Sequence, residues 1–159
     1  MTAAGLKARV LTVSDGVANG QRDDISGRGL VEALVAAGYT VDRHEVTADG
    51  AEAVAAALRD LCAGFAGLVI TTGGTGFAPR DQTPEGTKAV LDREAPGLAE
   101  ACRLVNPLGR LSRGVAGTRG EALVMNVPGS TKGALECLDS VADVLPHAIR
   151  LLLDAPTTH

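Results

Sequence analysis

The sequence predicts an α/β protein, a mainly parallel sheet covered by helices on both faces. Three observations predict it. Short runs rich in Val, Ile and Leu alternate with longer Ala/Leu-rich segments along the 159 residues. Two of the short runs, GLVITT (67–72) and EALVMNV (121–127), are almost continuously apolar, as strands buried on both faces of a parallel sheet are. Glycine- and proline-bearing junctions punctuate the alternation, as strand–helix units require.

In chain order, ARVLTVS (8–14) is of strand length and valine-rich. ISGRGLVEALVAAGY (25–39) sets Leu30, Leu34 and Ala37 at helical spacing and meets a stop signal at Gly38. TVDRHEV (40–46) alternates like a strand exposed on one face. AEAVAAALRDLCAG (51–64) has strong helix propensity, with Val54, Leu58 and Leu61 on one stripe. After the buried strand 67–72, residues 84–104 read as one or two helices interrupted near Pro96-Gly97. Residues 105–120 read as irregular or weakly strand-like. A Pro-Gly turn then separates strand 121–127 from the helix STKGALECLDSVADVL (130–145), and LPHAIRLLLD is a last amphipathic segment. No repeat, linker or low-complexity stretch interrupts the pattern, so one domain is expected over residues 1–159.

Composition removes several function classes. Aromatics are only 2% of the chain, with no Trp, which argues against a stacking platform for single-stranded nucleic acid. A net charge of −4 disfavours a general nucleic-acid or anionic-membrane binder. Cys62, Cys102 and Cys137 have no C-x-x-C spacing, so neither a disulfide framework nor a zinc site is indicated, and a reducing compartment suits them. His44, His147 and His159 are scattered without metal-ligand spacing. No signal-peptide pattern opens the chain and no stretch approaches the roughly 18 apolar residues of a membrane span. A cytoplasmic protein is the expectation.

In an open α/β sheet, ligands bind beyond the carboxyl ends of the strands. That directs attention to Ser14-Asp15-Gly16, to Asp49, to residues 73–81 and to residues 126–132. Gly73-Gly74-Thr75-Gly76 follows the buried strand directly. Such glycines serve a tight turn, or let successive N–H groups close around an anion. Neither a Walker A loop nor the G-x-G-x-x-G dinucleotide fingerprint is present. Thr83-Pro84 then offers a helix start, just after Arg80 and Asp81, a phosphate ligand and a Mg²⁺ ligand by residue type. Asp81 alone is equally a turn carboxylate, and Asp49 equally the cap of the next helix, with Glu52 completing a capping pair. Ser130 caps a further helix whose first turn holds Lys132, a cation where the helix dipole disfavours one, which leaves open a facing anion or a solvated surface lysine. Residues 101–120 hold four arginines (103, 110, 113 and 119) and no acid, a basic island in an acidic chain, open between anion recognition and a solvated loop.

With these residues assembled, the sequence resembles the MogA/MoaB-type family of molybdenum cofactor biosynthesis, the molybdopterin adenylyltransferases. VSDG…DDISG, TTGGTG, PRDQTPE, LSRG and NVPGSTKG carry the likeness in order, over about residues 7–153. The resemblance implies a three-layer α/β/α sandwich, a homotrimer or higher oligomer, and hand-over of product to a molybdenum-insertion protein. It implies transfer of AMP from ATP to the terminal phosphate of molybdopterin, with release of pyrophosphate and Mg²⁺ in support. By the resemblance, Asp49 and Asp81 are the catalytic and metal-binding pair. By the resemblance, Gly73, Gly74, Thr75 and Gly76 cradle the nucleotide and its phosphates, Thr83, Pro84 and Glu85 continue that loop, and Ser14, Asp15 and Arg80 also bind substrate or nucleotide. Ser112 and Arg113 match the region near the pterin and phosphate, and Asn126, Pro128, Gly129, Ser130 and Lys132 match the other ligand loop. Position 48 is Ala, where many relatives carry Pro before the aspartate. The alternative is a non-catalytic MoaB-type molybdopterin-binding or carrier protein with the same loops.

Overall fold

The strand GLVITT is buried at every residue, and the rest of the molecule is arranged around it. The structure is a computed structural model that describes residues 2–155 and 157. His159 lies outside the described residues. Strands β1 (Lys7–Val13), β2 (Thr40–Thr47), β3 (Gly67–Thr72), β4 (Arg93–Glu94), β5 (Ala116–Arg119) and β6 (Ala122–Val127) form one sheet in the order β2-β1-β3-β6-β5-β4. β1 pairs in parallel with β2 and β3, and β3 with β6. β5 runs antiparallel to both β6 and β4.

Successive side chains on a strand face opposite ways, and the two cores follow that alternation. Ala8 and Val10 of β1, Leu68 and Ile70 of β3, and Leu123, Met125 and Val127 of β6 enter one core. That core is closed by α2 (Ile25–Ala36), α5 (Pro96–Arg103), α6 (Thr131–Val141) and α7 (Leu145–Leu152). Leu11, Val13, Val69, Ala122 and Val124 enter the other core, beneath α3 (Ala51–Cys62). α4 (Thr83–Lys88) packs on α3. The layers are therefore helix, mostly parallel sheet, helix. A short α1 (Asp15–Ala18) and a 3₁₀ turn (Pro107–Leu111) complete the chain.

Residues 84–104 differ from the sequence reading. Pro96 does not interrupt a helix but begins α5, where its fixed φ and missing N–H cost nothing. The break lies earlier, at β4, which Asp92 N–H and Ala95 N–H hold to β5 through the carbonyls of Thr118 and Ala116 at 2.7 and 2.8 Å. Among the described residues no helix is long and apolar enough to cross a membrane.

Candidate active site

The parallel topology brings the ends of β1, β2, β3 and β6 to one edge of the sheet. Ser14, immediately after β1, caps α1 by accepting Val17 N–H at 3.2 Å. Asp15 and Asp49, on neighbouring loops, exchange hydrogen bonds. Asp15 N–H donates to Asp49 Oδ2 at 2.9 Å, and Asp49 N–H donates to Asp15 Oδ1 at 3.1 Å. Arg80 closes the arrangement. Its Nε and Nη2 meet the Asp15 carboxylate at 2.6 and 3.0 Å, and Nη2 also reaches the Asp49 carbonyl at 2.9 Å. The Arg80 guanidinium holds the Asp15 carboxyl below its ordinary range.

The glycine loop is locked from behind. Gly73 and Gly74 have φ of 103° and 68°, a left-handed conformation that favours glycine. Buried Thr83 ties both, its Oγ1 donating to the Gly73 carbonyl at 2.8 Å and its N–H to the Gly74 carbonyl at 3.0 Å. Pro84 is buried beside it at the start of α4. The carbonyls thus face inward, while the amides of Gly74, Thr75 and Gly76 donate no hydrogen bond among the described residues. Asp81 Oδ2 accepts Ala78 N–H at 3.0 Å, close enough to Gly76 that a Cβ there would lie 2.9 Å from it.

A cavity of about 470 Å³ lies over these loops. Of the residues expected from the sequence, Ser14, Gly73, Gly74, Gly129, Ser130 and both aspartates, Asp49 and Asp81, line it. One oxygen of each aspartate, Asp49 Oδ1 and Asp81 Oδ1, makes no hydrogen bond among the described residues. A larger cavity, about 530 Å³, lies near the opposite edge of the sheet against Leu34, Tyr39, Leu135 and Leu145, but its wall is mostly apolar and holds none of these groups.

Other expected residues stand elsewhere. Arg113 is a clasp. Its backbone N–H donates to the Thr75 carbonyl at 2.8 Å, Nε to the Gly76 carbonyl at 2.8 Å and Nη2 to the Asp81 carbonyl at 2.6 Å, while Nη1 pairs with Glu85 at 2.7 Å. Arg103, Arg110 and Arg119 likewise donate to main-chain carbonyls, of Gly114, Pro107 and Val90. The basic island is therefore used to hold an irregular segment in shape. Ser112 accepts Gly114 N–H at 3.2 Å. Asn126 is 3% exposed and satisfied on every side, donating to Thr71 and Thr87 hydroxyls and accepting Val115 N–H. The Pro128 carbonyl accepts the Thr72 hydroxyl at 2.7 Å. Lys132 is solvated, with Glu136 one turn on at 3.8 Å, and borders a different cavity of about 350 Å³. Of the two readings of Lys132, the structure shows the solvated lysine, with Glu136 of α6 itself as its neighbouring anion.

The sequence reading missed Thr12, Arg22, Asp24, Ser26 and Thr131, which also line the cavity. Asp24 caps α2 through Gly27 N–H at 3.0 Å and receives the Thr12 hydroxyl and His44 Nε2, both at 2.8 Å. The signal was present: an aspartate before the periodic run is an N-cap signature, and DDISG carries it. The Arg22 side chain has no hydrogen-bond or ion-pair partner among the described residues. No local pattern marks it.

Chemically, the glycine loop, an unengaged guanidinium and four carboxylates, those of Asp23, Asp24, Asp49 and Asp81, around one cavity suit a phosphorylated ligand held with a divalent cation. Among the described residues no three His, Cys, Asp or Glu gather as a metal cage.

Comparison with known proteins gives the same direction. Residues 9–147 match the family described as "Probable molybdopterin binding domain". A Helicobacter pylori (strain J99) protein named molybdopterin adenylyltransferase is 37% identical, over 91% of this chain and 86% of its own. The crystal structure of the molybdopterin biosynthesis enzyme MoaB from Thermus thermophilus superposes with a TM-score of 0.90 at 44% identity, covering 96% of this chain and 99% of that one. The tungsten cofactor synthesizing protein MoaB from Pyrococcus furiosus superposes at 0.82 with 31% identity, covering 92% and 97%.

Proposed function

The chain belongs to the molybdopterin-binding-domain family, and from that premise we propose that it is a molybdopterin adenylyltransferase of molybdenum cofactor biosynthesis. In the reaction, an oxygen of the terminal phosphate of molybdopterin bonds to the α-phosphorus of ATP. The bond from that phosphorus to the bridging oxygen breaks, pyrophosphate leaves, and adenylylated molybdopterin remains. The observation that carries this reading is the convergence of Asp49, Asp81 and the glycine loop, through Gly73 and Gly74, on one polar cavity.

Little covalent help is needed for such a transfer, so positioning and charge compensation carry it. The amides of Gly74, Thr75 and Gly76 receive phosphate oxygens, and Arg22 supplies positive charge. The donor set fits Mg²⁺, which takes one or two carboxylates and completes its shell with phosphate oxygens and water. Asp49 and Asp81 would hold it by their unengaged oxygens, and when bound it would neutralise charge on the phosphates. Asp15 and Arg80 orient the Asp49 loop, while Arg113 and Glu85 brace the Asp81 loop.

Incubation with molybdopterin, ATP and Mg²⁺ tests the reading: adenylylated molybdopterin should accumulate with pyrophosphate in equal amount. A non-catalytic molybdopterin carrier, the rival, would bind molybdopterin and give no nucleotide-dependent product. The family resemblance further supports a homotrimer and hand-over to a molybdenum-insertion protein, which light scattering and a mixing assay with that protein check.

A further inference from the structure

Two of the three cysteines are placed together by the fold and have no part in the site described above. Cys102 of α5 and Cys137 of α6 are 4% and 1% exposed. Cys102 Sγ lies 3.9 Å from the Cys137 carbonyl, and Cys137 Sγ lies 3.6 Å from the Cys102 carbonyl. The closeness of the two thiols favours the Cys102 thiolate and pushes the Cys137 thiol the other way. That is the division of labour of a dithiol, one sulfur nucleophilic and the other a proton donor. Both residues border the cavity of about 350 Å³ that Leu108, Pro128, Ser130 and Lys132 also line. Cys62 sits in the other core, across the sheet, and burial pushes its thiol up to about 11.

We propose that Cys102 and Cys137 form a reversible intramolecular disulfide, an oxidative modification site that fastens α5 to α6 along this cavity. The oxidant is a small hydroperoxide. The Cys102 thiolate attacks a peroxide oxygen: an S–O bond forms, the O–O bond breaks, and water or an alcohol leaves. Cys137 Sγ then attacks the sulfenic sulfur: the S–S bond forms, the S–O bond breaks, and water leaves. Two electrons pass from the thiols to the peroxide. Each sulfur lies within 4 Å of the other residue's backbone, and closure requires the two side chains to turn toward each other. The bond would lie along the cavity that Pro128 and Ser130 also line, and Ser130 borders the active-site cavity as well.

The test treats the reduced, full-length protein with hydrogen peroxide and measures intact mass, thiol content in denaturant and the disulfide map. The expected result is loss of two hydrogen atoms, a 102–137 linkage, one remaining titratable thiol (Cys62) and full reversal by dithiothreitol. In Cys137→Ala the reaction should stop at a sulfenic acid on Cys102 that dimedone traps. Persistence of all three thiols, linkage between chains, linkage through Cys62, or over-oxidation of wild-type Cys102 with Cys137 untouched overturns the proposal. The mass and linkage readouts involve neither ATP nor molybdopterin, so they are independent of the function assigned to the site.

Discussion

Asp15 and Asp49 hold each other by exchanged hydrogen bonds from backbone N–H to carboxylate, 2.9 and 3.1 Å long, which tie together two loops that follow adjacent strands. Asp49 thereby keeps one oxygen engaged and presents the other. Replacing Asp15 by Ala removes the acceptor for Asp49 N–H and the partner of Arg80 while leaving Asp49 itself in place. Turnover in Asp15→Ala should fall roughly 10- to 100-fold, the usual consequence of a reactive group displaced by about an ångström. Steady-state kinetics check it, and an unchanged kcat would show that Asp49 is held by other means.

Arg22 and Arg113 should separate cleanly. Arg22 borders the cavity without a partner, so Arg22→Ala should raise the KM for ATP with little change in thermal stability. Arg113 bonds the carbonyls of Gly76 and Asp81, and Arg113→Ala should lower stability by roughly 1–3 kcal/mol through those unmet acceptors. Denaturant titration beside kinetics distinguishes the two. A stable Arg113→Ala protein with only a raised KM would make Arg113 a ligand contact.

Gly74→Ala tests the glycine loop. Its φ of 68° costs a residue with a Cβ roughly 1–2 kcal/mol. The added carbon would also collide with Thr83 Oγ1 and lie 3.2 Å from Asp49 Oδ1. Loss of both stability and activity is expected. Gly97→Ala, where nothing lies within 4 Å of the new carbon, is the control.

Acid should open the two clasps in sequence with the carboxylates that close them. Arg80 lowers the pKa of Asp15 from the ordinary 3.8, and Arg113 lowers that of Glu85 from 4.5. A depressed pKa contributes stability that is present above the ordinary value and lost as pH falls through the folded one. Both pairs are partly solvated, so that contribution is small and screened by salt. Carboxyl carbon shifts followed by NMR should therefore titrate below the ordinary range, and Arg80→Ala should return Asp15 to it.

The sequence disclosed the fold's centre more readily than its edge. GLVITT and ALVMNV are buried on both faces, so their composition alone marks them as interior strands. β4 is an exposed Arg-Glu pair made into a strand only by bonds to β5, which no local pattern carries. The same division runs through the site. Asp49 and the glycines stand just past strand ends, where topology puts ligands, and Asp81 stands in the turn that leads from the glycines into α4. Arg113 looks like a phosphate ligand until residues 76, 81 and 85 are folded against it, and Asn126 looks like a loop residue until Thr71 and Thr87 close over it.

The most direct measurement of the central claim is pyrophosphate release with molybdopterin and ATP across a Mg²⁺ titration, for the wild type, Asp49→Asn and Asp81→Asn. Metal-dependent release by the wild type is expected, with a loss of at least ~100-fold in each variant, on the scale of losing a charge-stabilising group at the reaction centre. Molybdopterin binding by the variants should persist. Release at the wild-type rate by either variant, or with no dependence on Mg²⁺, would contradict the claim.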